Sequence, residues 1–235
     1  YTSDFDNQRM QVFRPDTAAS VTKAIIVVGG GNHSRDDLRD VTRMLANFAY
    51  RALLHQGLSK EHINYLSSES IDPDENGVLD DVNGDTTKSG LEQAITSWAS
   101  DATDVVVYLV GPGKTGTFLM GPAEHLASTD LDSWLDELQG IAPGKVTVIY
   151  DAPESGTFIP DLTAPAGKER IVVTSTSAGE DAAFLSQGTV SFSNFFWTRI
   201  FNGLSIKDAF DMAGSAMPHF TEIQNPVLDD SGNGS

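Results

Sequence analysis

The sequence contains no cysteine. That absence excludes a disulfide framework, a thiolate metal site and a thiol nucleophile, and it leaves the compartment open. Basic residues are scarce: Lys and Arg number 15 against 33 Asp and Glu, a net charge of −18 at pH 7. So acidic a chain repels phosphate backbones and anionic lipid, so neither nucleic acid nor a membrane is an expected partner. Cations and a salty or extracellular setting suit it better. No apolar run approaches the roughly 18–20 residues of a membrane span. Residues 1–21 are polar and mixed, without the pattern of a secretory leader. Hydrophobic residues make up 40% of the 235 and charged residues 20%, which excludes a disordered chain and supplies one large core.

Strand-length apolar runs alternate with segments of helical period. Lys23–Gly29 (KAIIVVG) is continuous and β-branched, as expected of a strand buried on both faces of a parallel sheet. Ile63–Ser67, Asp104–Val110, Lys145–Tyr150 and Arg170–Thr174 are further strands. Between the first two, Ser34 is placed to cap a helix with Asp36 and Asp37 in its first turn. Its apolar face is Leu38, Val41, Leu45, Phe48, Ala52 and Leu53, and Gly57 stops it. Ser89 and Glu92 form a capping-box pair ahead of Leu91, Ile95 and Trp98. Leu131, Trp134, Leu135 and Leu138 mark a helix ending at Gly140. Phe192–Phe201 and Ile206–Ala216 read as closing helices divided by Gly203. Trp98, Trp134 and Trp197 fall at apolar positions of the core. This alternation predicts an α/β fold, a three-layer α/β/α sandwich with a mostly parallel sheet. One domain is expected over residues 22–218, carrying an acidic insertion at 70–88. An N-terminal arm (1–21) and a flexible C-terminal tail (219–235) flank it.

Ligands of such sheets bind at the carboxyl ends of the strands. Gly29–Ser34, Gly111–Thr117, Asp151–Thr157 and Ser175–Gly179 therefore converge on one edge. Gly113-Lys114-Thr115 suggests a phosphate-binding loop, but the glycine such a loop needs further upstream is Tyr108, inside a strand. The chain then runs on into Phe118-Leu119-Met120, which is not a helix start. The triple glycine at 29–31 lacks dinucleotide-loop spacing as well. Both read as turns.

Tyr108-Leu109-Val110-Gly111-Pro112-Gly113 and Asp151-Ala152-Pro153-Glu154-Ser155-Gly156 together carry a more specific signal. With the strands before them they resemble the caspase-like cysteine peptidases, and most closely the legumain family and its bacterial members. The resemblance runs from about Lys23 to Ala216. It implies a caspase-like fold and the site of a cysteine endopeptidase, with a catalytic His in a His-Gly pair after one strand and a Cys in an acidic-Ala-Cys-x-Ser-Gly segment after the next. Here Pro112 stands at the His position and Pro153 at the Cys position. Proline has neither an ionisable side chain nor an N–H, so thiolate attack and imidazole acid–base catalysis are both lost. The resemblance thus implies a peptidase scaffold that is inactive as written. Its retained groove would be lined by Gly113, Asp151, Glu154, Ser155 and Ser175. Its acidic wall would favour basic side chains of a peptide or protein ligand.

The segment from Ile71 to Asp85 (IDPDENGVLDDVNGD) has six acidic residues and no base. Asp72, Asp74, Asn76 and Gly77 match positions 1, 3, 5 and 6 of an EF-hand-type calcium loop, in which alternate oxygens wrap the ion and glycine permits the sharp turn. Val78 would offer its carbonyl, Leu79 would anchor the loop in the core, and Asp80 falls at position 9. Position 12 departs from the pattern: Asn83 replaces the bidentate Glu, leaving Asp81 or Asp85 to close the shell. A structural Ca2+ is the expected cofactor, holding a long insertion in one shape. Acidic repeats of this kind are common in extracellular bacterial modules, so a secreted or cell-surface setting is expected. The alternative reading is a solvated acidic loop.

Two further functions stay open at this level. One is a hydrolase using Ser155, with His33 or His125 as base, or using a bound metal, although no nucleophile elbow is present. The other is a purely structural extracellular module.

Overall fold

The computed structural model describes residues 21–30, 36–141, 144–231 and 234. The expected cap Ser34, the candidate base His33 and the arm up to residue 20 lie outside them. Among the described residues, ten strands and five α-helices follow in chain order: β1 (Thr22–Val28), α1 (Asp36–His55), β2 (Ile63–Leu66), β3 (Val82–Gly84), α2 (Lys88–Gln93), β4 (Asp104–Val110), β5 (Gly113–Lys114), β6 (Thr117–Gly121), β7 (Glu124–Ala127), α3 (Ser128–Ile141), β8 (Lys145–Asp151), β9 (Glu169–Thr174), α4 (Phe192–Phe201), α5 (Ile206–Ala216) and β10 (Val227–Asp229). No described helix is long and apolar enough to cross a membrane.

Seven strands form the main sheet in the order β10-β9-β8-β4-β1-β2-β3, parallel except for β10. Alternation along β1 shows why its strands are apolar throughout. Ala24, Ile26 and Val28 pack into one core with α1, α4 and α5, while Ile25 and Val27 pack into the other with Leu91, Ile95, Leu131 and Leu135. A strand covered on both faces has no polar side. The structure is thus a mixed α/β fold with a mostly parallel central sheet flanked by helices, as expected. Trp197 is fully buried, and Trp98 and Trp134 pack partly buried against the second core.

Four local expectations are corrected. Thr87, not Ser89, caps α2: its side chain accepts from Gly90 N–H, and the helix continues as a π turn over Ala94–Trp98. α3 passes through Gly140 and ends at Ile141. The loop after β4 is more than a turn. It opens a second, antiparallel sheet β5-β6-β7, with Phe118, Met120 and Leu126 buried in the main core. The segment beyond 219, expected as a flexible tail, supplies β10, which pairs Val227 with Thr174 and Asp229 with Val172.

Candidate functional site

The two loops that carry the prolines leave adjacent parallel strands at the same height. Val110 of β4 is registered with Asp151 of β8, and Pro112 and Pro153 each follow that pair by two residues. Gly111 N–H donates to the Asp151 carbonyl at 3.2 Å. A Cβ on Gly113 would sit 2.7 Å from the Pro153 carbonyl oxygen and 2.7 Å from the Tyr150 hydroxyl. A Cβ on Gly111 would meet the Gly29 backbone at 2.9 Å. The glycines on either side of Pro112 are therefore required by close approach of backbone and ring atoms. Pro112 itself is half-buried, and its carbonyl accepts from Leu119 N–H at 3.0 Å, which fixes the loop against β6.

The segment after β8 has the same construction. Asp151 is 1% exposed and points beneath α4, where Ser193 N–H, in the first turn of that helix, donates to its Oδ2 at 3.1 Å. The free N–H groups of a helix start favour a carboxylate there. Burial nevertheless pushes its carboxyl above the usual range, and the hydrogen bonds from Ser193 oppose this. Ser155 is fully buried: its N–H donates to Thr176 Oγ1 at 2.9 Å, and its Oγ accepts from Thr176 N–H at 3.1 Å. Thr176 Oγ1 in turn donates to the Ala152 carbonyl at 3.2 Å. A Cβ on Gly156 would lie 2.7 Å from the Thr176 carbonyl oxygen. Between these fixed points Glu154 takes a left-handed backbone (φ 57°), strained for a non-glycine residue, and donates its N–H to the Glu180 carbonyl at 2.8 Å. Its carboxylate accepts a hydrogen bond from Thr115, which ties the two proline loops together across the edge.

These positions correct the expected groove. Asp151, Ser155 and Ser175 are all buried, at 1%, 0% and 0% exposure, so they hold the edge from beneath and do not line it. Ser175 donates its N–H to the Tyr150 carbonyl and accepts from Gln224 at its own carbonyl. Gly113, Glu154 and the two prolines remain at the half-buried surface, so the acidic wall reduces to Glu154. His125 lies on β7 opposite Leu119, whereas the side-chain partner of Ser155 is Thr176. A Ser155 nucleophile is therefore sealed in the core and bonded to Thr176, and His33, the other candidate base, lies outside the described residues. Thr176 falls in the loop expected at this edge, but its contact with Ser155, and the roles of Ser193 and Glu180, were not foreseeable. Each meets its partner from a distant part of the chain, and nothing in its local sequence announces the contact.

The acidic loop occupies the other end of the sheet. Asp81 immediately precedes β3, and its partner Lys60 precedes β2, whereas the prolines follow the carboxyl ends of β4 and β8. Asp72, Asp74 and Asp81 each bring an oxygen within 4.8 Å of the others. The loop is turned by its own backbone: Gly77 N–H donates to Asp72 Oδ2 at 2.7 Å, and Asn76 N–H to Asp72 Oδ1 and Asp74 Oδ1 at 3.1 Å. Desolvation raises both Asp72 and Asp74. In Asp72 the bonds from Gly77 and Asn76 outweigh it and hold the carboxyl below its usual range, while in Asp74 the neighbouring Asp72 and Asp81 add to it and push the carboxyl up.

The other expected ligands are engaged elsewhere. Asp80 pairs with Lys60, Asn76 Oδ1 accepts from Val78 N–H, and Asn83 Oδ1 accepts from Tyr65 N–H in the sheet. Asp85 is exposed beside the start of α2 and is not among the three converging carboxylates. Val78 and Leu79 are 54% and 63% exposed, so Leu79 does not anchor the loop in the core. Arg51 takes that role, donating to the Pro73 carbonyl and to Glu75, both at 2.9 Å.

No family model and no curated protein matches this chain by sequence. Its shape does have a match. The fold is caspase-like: the solved structure of caspase-1 from Spodoptera frugiperda superposes with a TM-score of 0.63 over 94% of this chain and 93% of that chain. Sequence identity between the two is 13%, so the likeness is one of fold.

Proposed function

We propose that this chain is a legumain-like peptidase scaffold in which Pro112 and Pro153 occupy the positions of base and nucleophile, and that it engages peptides at the sheet edge without hydrolysing them. The observation that carries this reading is the pairing of the two prolines. They stand side by side, two residues beyond the registered pair Val110 and Asp151, each at the half-buried position of an otherwise locked segment. Acyl transfer needs a nucleophile and a base within hydrogen-bond reach of each other, and this pair of positions offers neither group. Glu154, beside Pro153, gives the edge one carboxylate, which favours a peptide with Arg or Lys at the residue docked there.

The test is hydrolysis of fluorogenic peptides bearing Arg, Lys, Asn or Asp at the cleaved position. The chain as it stands is compared with the double variant Pro112→His/Pro153→Cys. Cleavage by the double variant alone supports the reading, and its preferred residue identifies the pocket. Cleavage by the unaltered chain overturns it, because another nucleophile must then be at work. Silence from both, with the variant folded, counts against a peptidase origin for this edge.

A further inference from the structure

We propose that the acidic loop holds one calcium-class cation between Asp72, Asp74 and Asp81, at the amino end of the sheet and apart from the proline edge. Two observations point there. Three carboxylate oxygens of one charge lie within 4.8 Å of one another. The second observation is the state of Asp81. This residue is 2% exposed, and its Oδ2 is buried with no hydrogen-bond partner. Its other oxygen is satisfied, taking Tyr50 O–H and Lys60 Nζ, both at 2.8 Å. A buried carboxylate oxygen without a donor is costly, and a bound cation removes that cost.

Nor do the neighbouring bases neutralise the whole cluster. Among the described residues Lys60 pairs with Asp80 and Asp81, Arg51 pairs with Glu75, and neither Asp72 nor Asp74 forms an ion pair. The donors are all oxygen and sit on a glycine-turned loop, which suits a hard cation of flexible coordination better than magnesium, with its strict octahedron. Relative to an EF-hand-type loop the closing carboxylate has moved. Asn83, at the twelfth position, is committed to β2, and Asp81, two residues earlier, closes the cluster from the buried side. Because Asp81 also holds Tyr50 of α1 and leads into β3, the cation ties the insertion to the body of the domain. Its place at the amino end makes its role structural.

Thermal melting of the intact chain after chelator treatment, with CaCl2, MgCl2 or NaCl of matched ionic strength added back, tests this. Terbium emission excited through Tyr50 and Tyr65 gives a second readout, since Tyr50 touches Asp81 directly. Calcium at about tenfold excess over a Kd of about 10⁻⁴ M is expected to raise the midpoint by about 3–6 °C. The shift and the sensitised emission are expected to disappear in Asp74→Asn, a half-exposed position where the fold is kept, and in Asp81→Asn. A shift of equal size with magnesium or matched NaCl overturns the proposal, because screening of like charges then suffices. So does an unchanged calcium shift in folded Asp74→Asn, or the absence of both shift and emission in the unaltered chain.

Discussion

Glycine serves opposite purposes in the two regions. At Gly113 a side-chain carbon would lie 2.7 Å from the Pro153 carbonyl oxygen, whereas at Gly77 it would meet nothing within 4 Å and only the left-handed backbone (φ 89°) calls for glycine. The proline edge is held by contact: backbone against backbone, with Ser155 and Thr176 stitching one loop to the next. The acidic loop is turned by its own hydrogen bonds, leaves Val78 and Leu79 in solvent, and gathers six carboxylates that Arg51 and Lys60 only partly offset. The locked frame holds its shape through contacts that do not involve the side chains of Pro112 and Pro153.

The largest expected effect breaks the first half of that comparison. Gly113→Ala should lower the unfolding free energy by about 3 kcal/mol, since the obstructing atoms are backbone and a buried ring. Gly77→Ala should cost about 1 kcal/mol, from the positive φ alone. Equal urea midpoints for the two variants would show that the frame yields and the distinction is false.

Next in size is Ser155→Ala, which strands Thr176 N–H in the core and should cost about 1–2 kcal/mol. That loss should be the same with calcium and with chelator, and any hydrolase activity should be untouched. A loss of hydrolysis without a loss of stability would revive a serine nucleophile.

Acid should loosen the frame before the core. Burial raises the Glu180 carboxyl, but the side chain and N–H of Asn225 and the N–H of Ser177 outweigh it and hold the group below its usual range. A folded value below the unfolded one means stability that is present above the ordinary carboxylate range and lost as pH falls through the folded value. Solvent exposure limits this to no more than about 1 kcal/mol. Hydrogen-exchange protection factors, corrected for the intrinsic pH dependence, should therefore fall at residues 177–180 and 225 on acidification ahead of β4 and β8. Glu180→Gln should abolish that pH dependence. The smallest effect sharpens the second half: Asp85→Asn should leave the calcium shift unchanged, because Asp85 stands outside the cluster.

Much of the molecule was legible before the structure. The five long apolar runs became parallel strands because burial on both faces favours apolar residues on both, with the few buried polar ones such as Arg170 paired, and the closing helices begin and end where their apolar period does. The convergence of the Gly-x-Gly and Asp-Ala-x-Glu-Ser-Gly segments on one edge was legible too, and they leave neighbouring strands. Local pattern reaches only as far as a residue's own segment. Asp151, Ser155 and Ser175 looked like a pocket wall from their order in the chain. Whether a side chain at a strand end turns outward or under a helix depends on Ser193 and Thr176, 42 and 21 residues away. The β5–β7 sheet and the edge strand β10 were missed because short strands form by pairing, not by hydrophobicity of their own. The acidic loop divides the same way. Its spacing and charge were determined by sequence alone. That Asp81 and not Asp85 closes the cluster, and that Leu79 faces water, was decided by tertiary structure, because β3 pulls the chain into the sheet at Val82 and buries the carboxylate immediately before it.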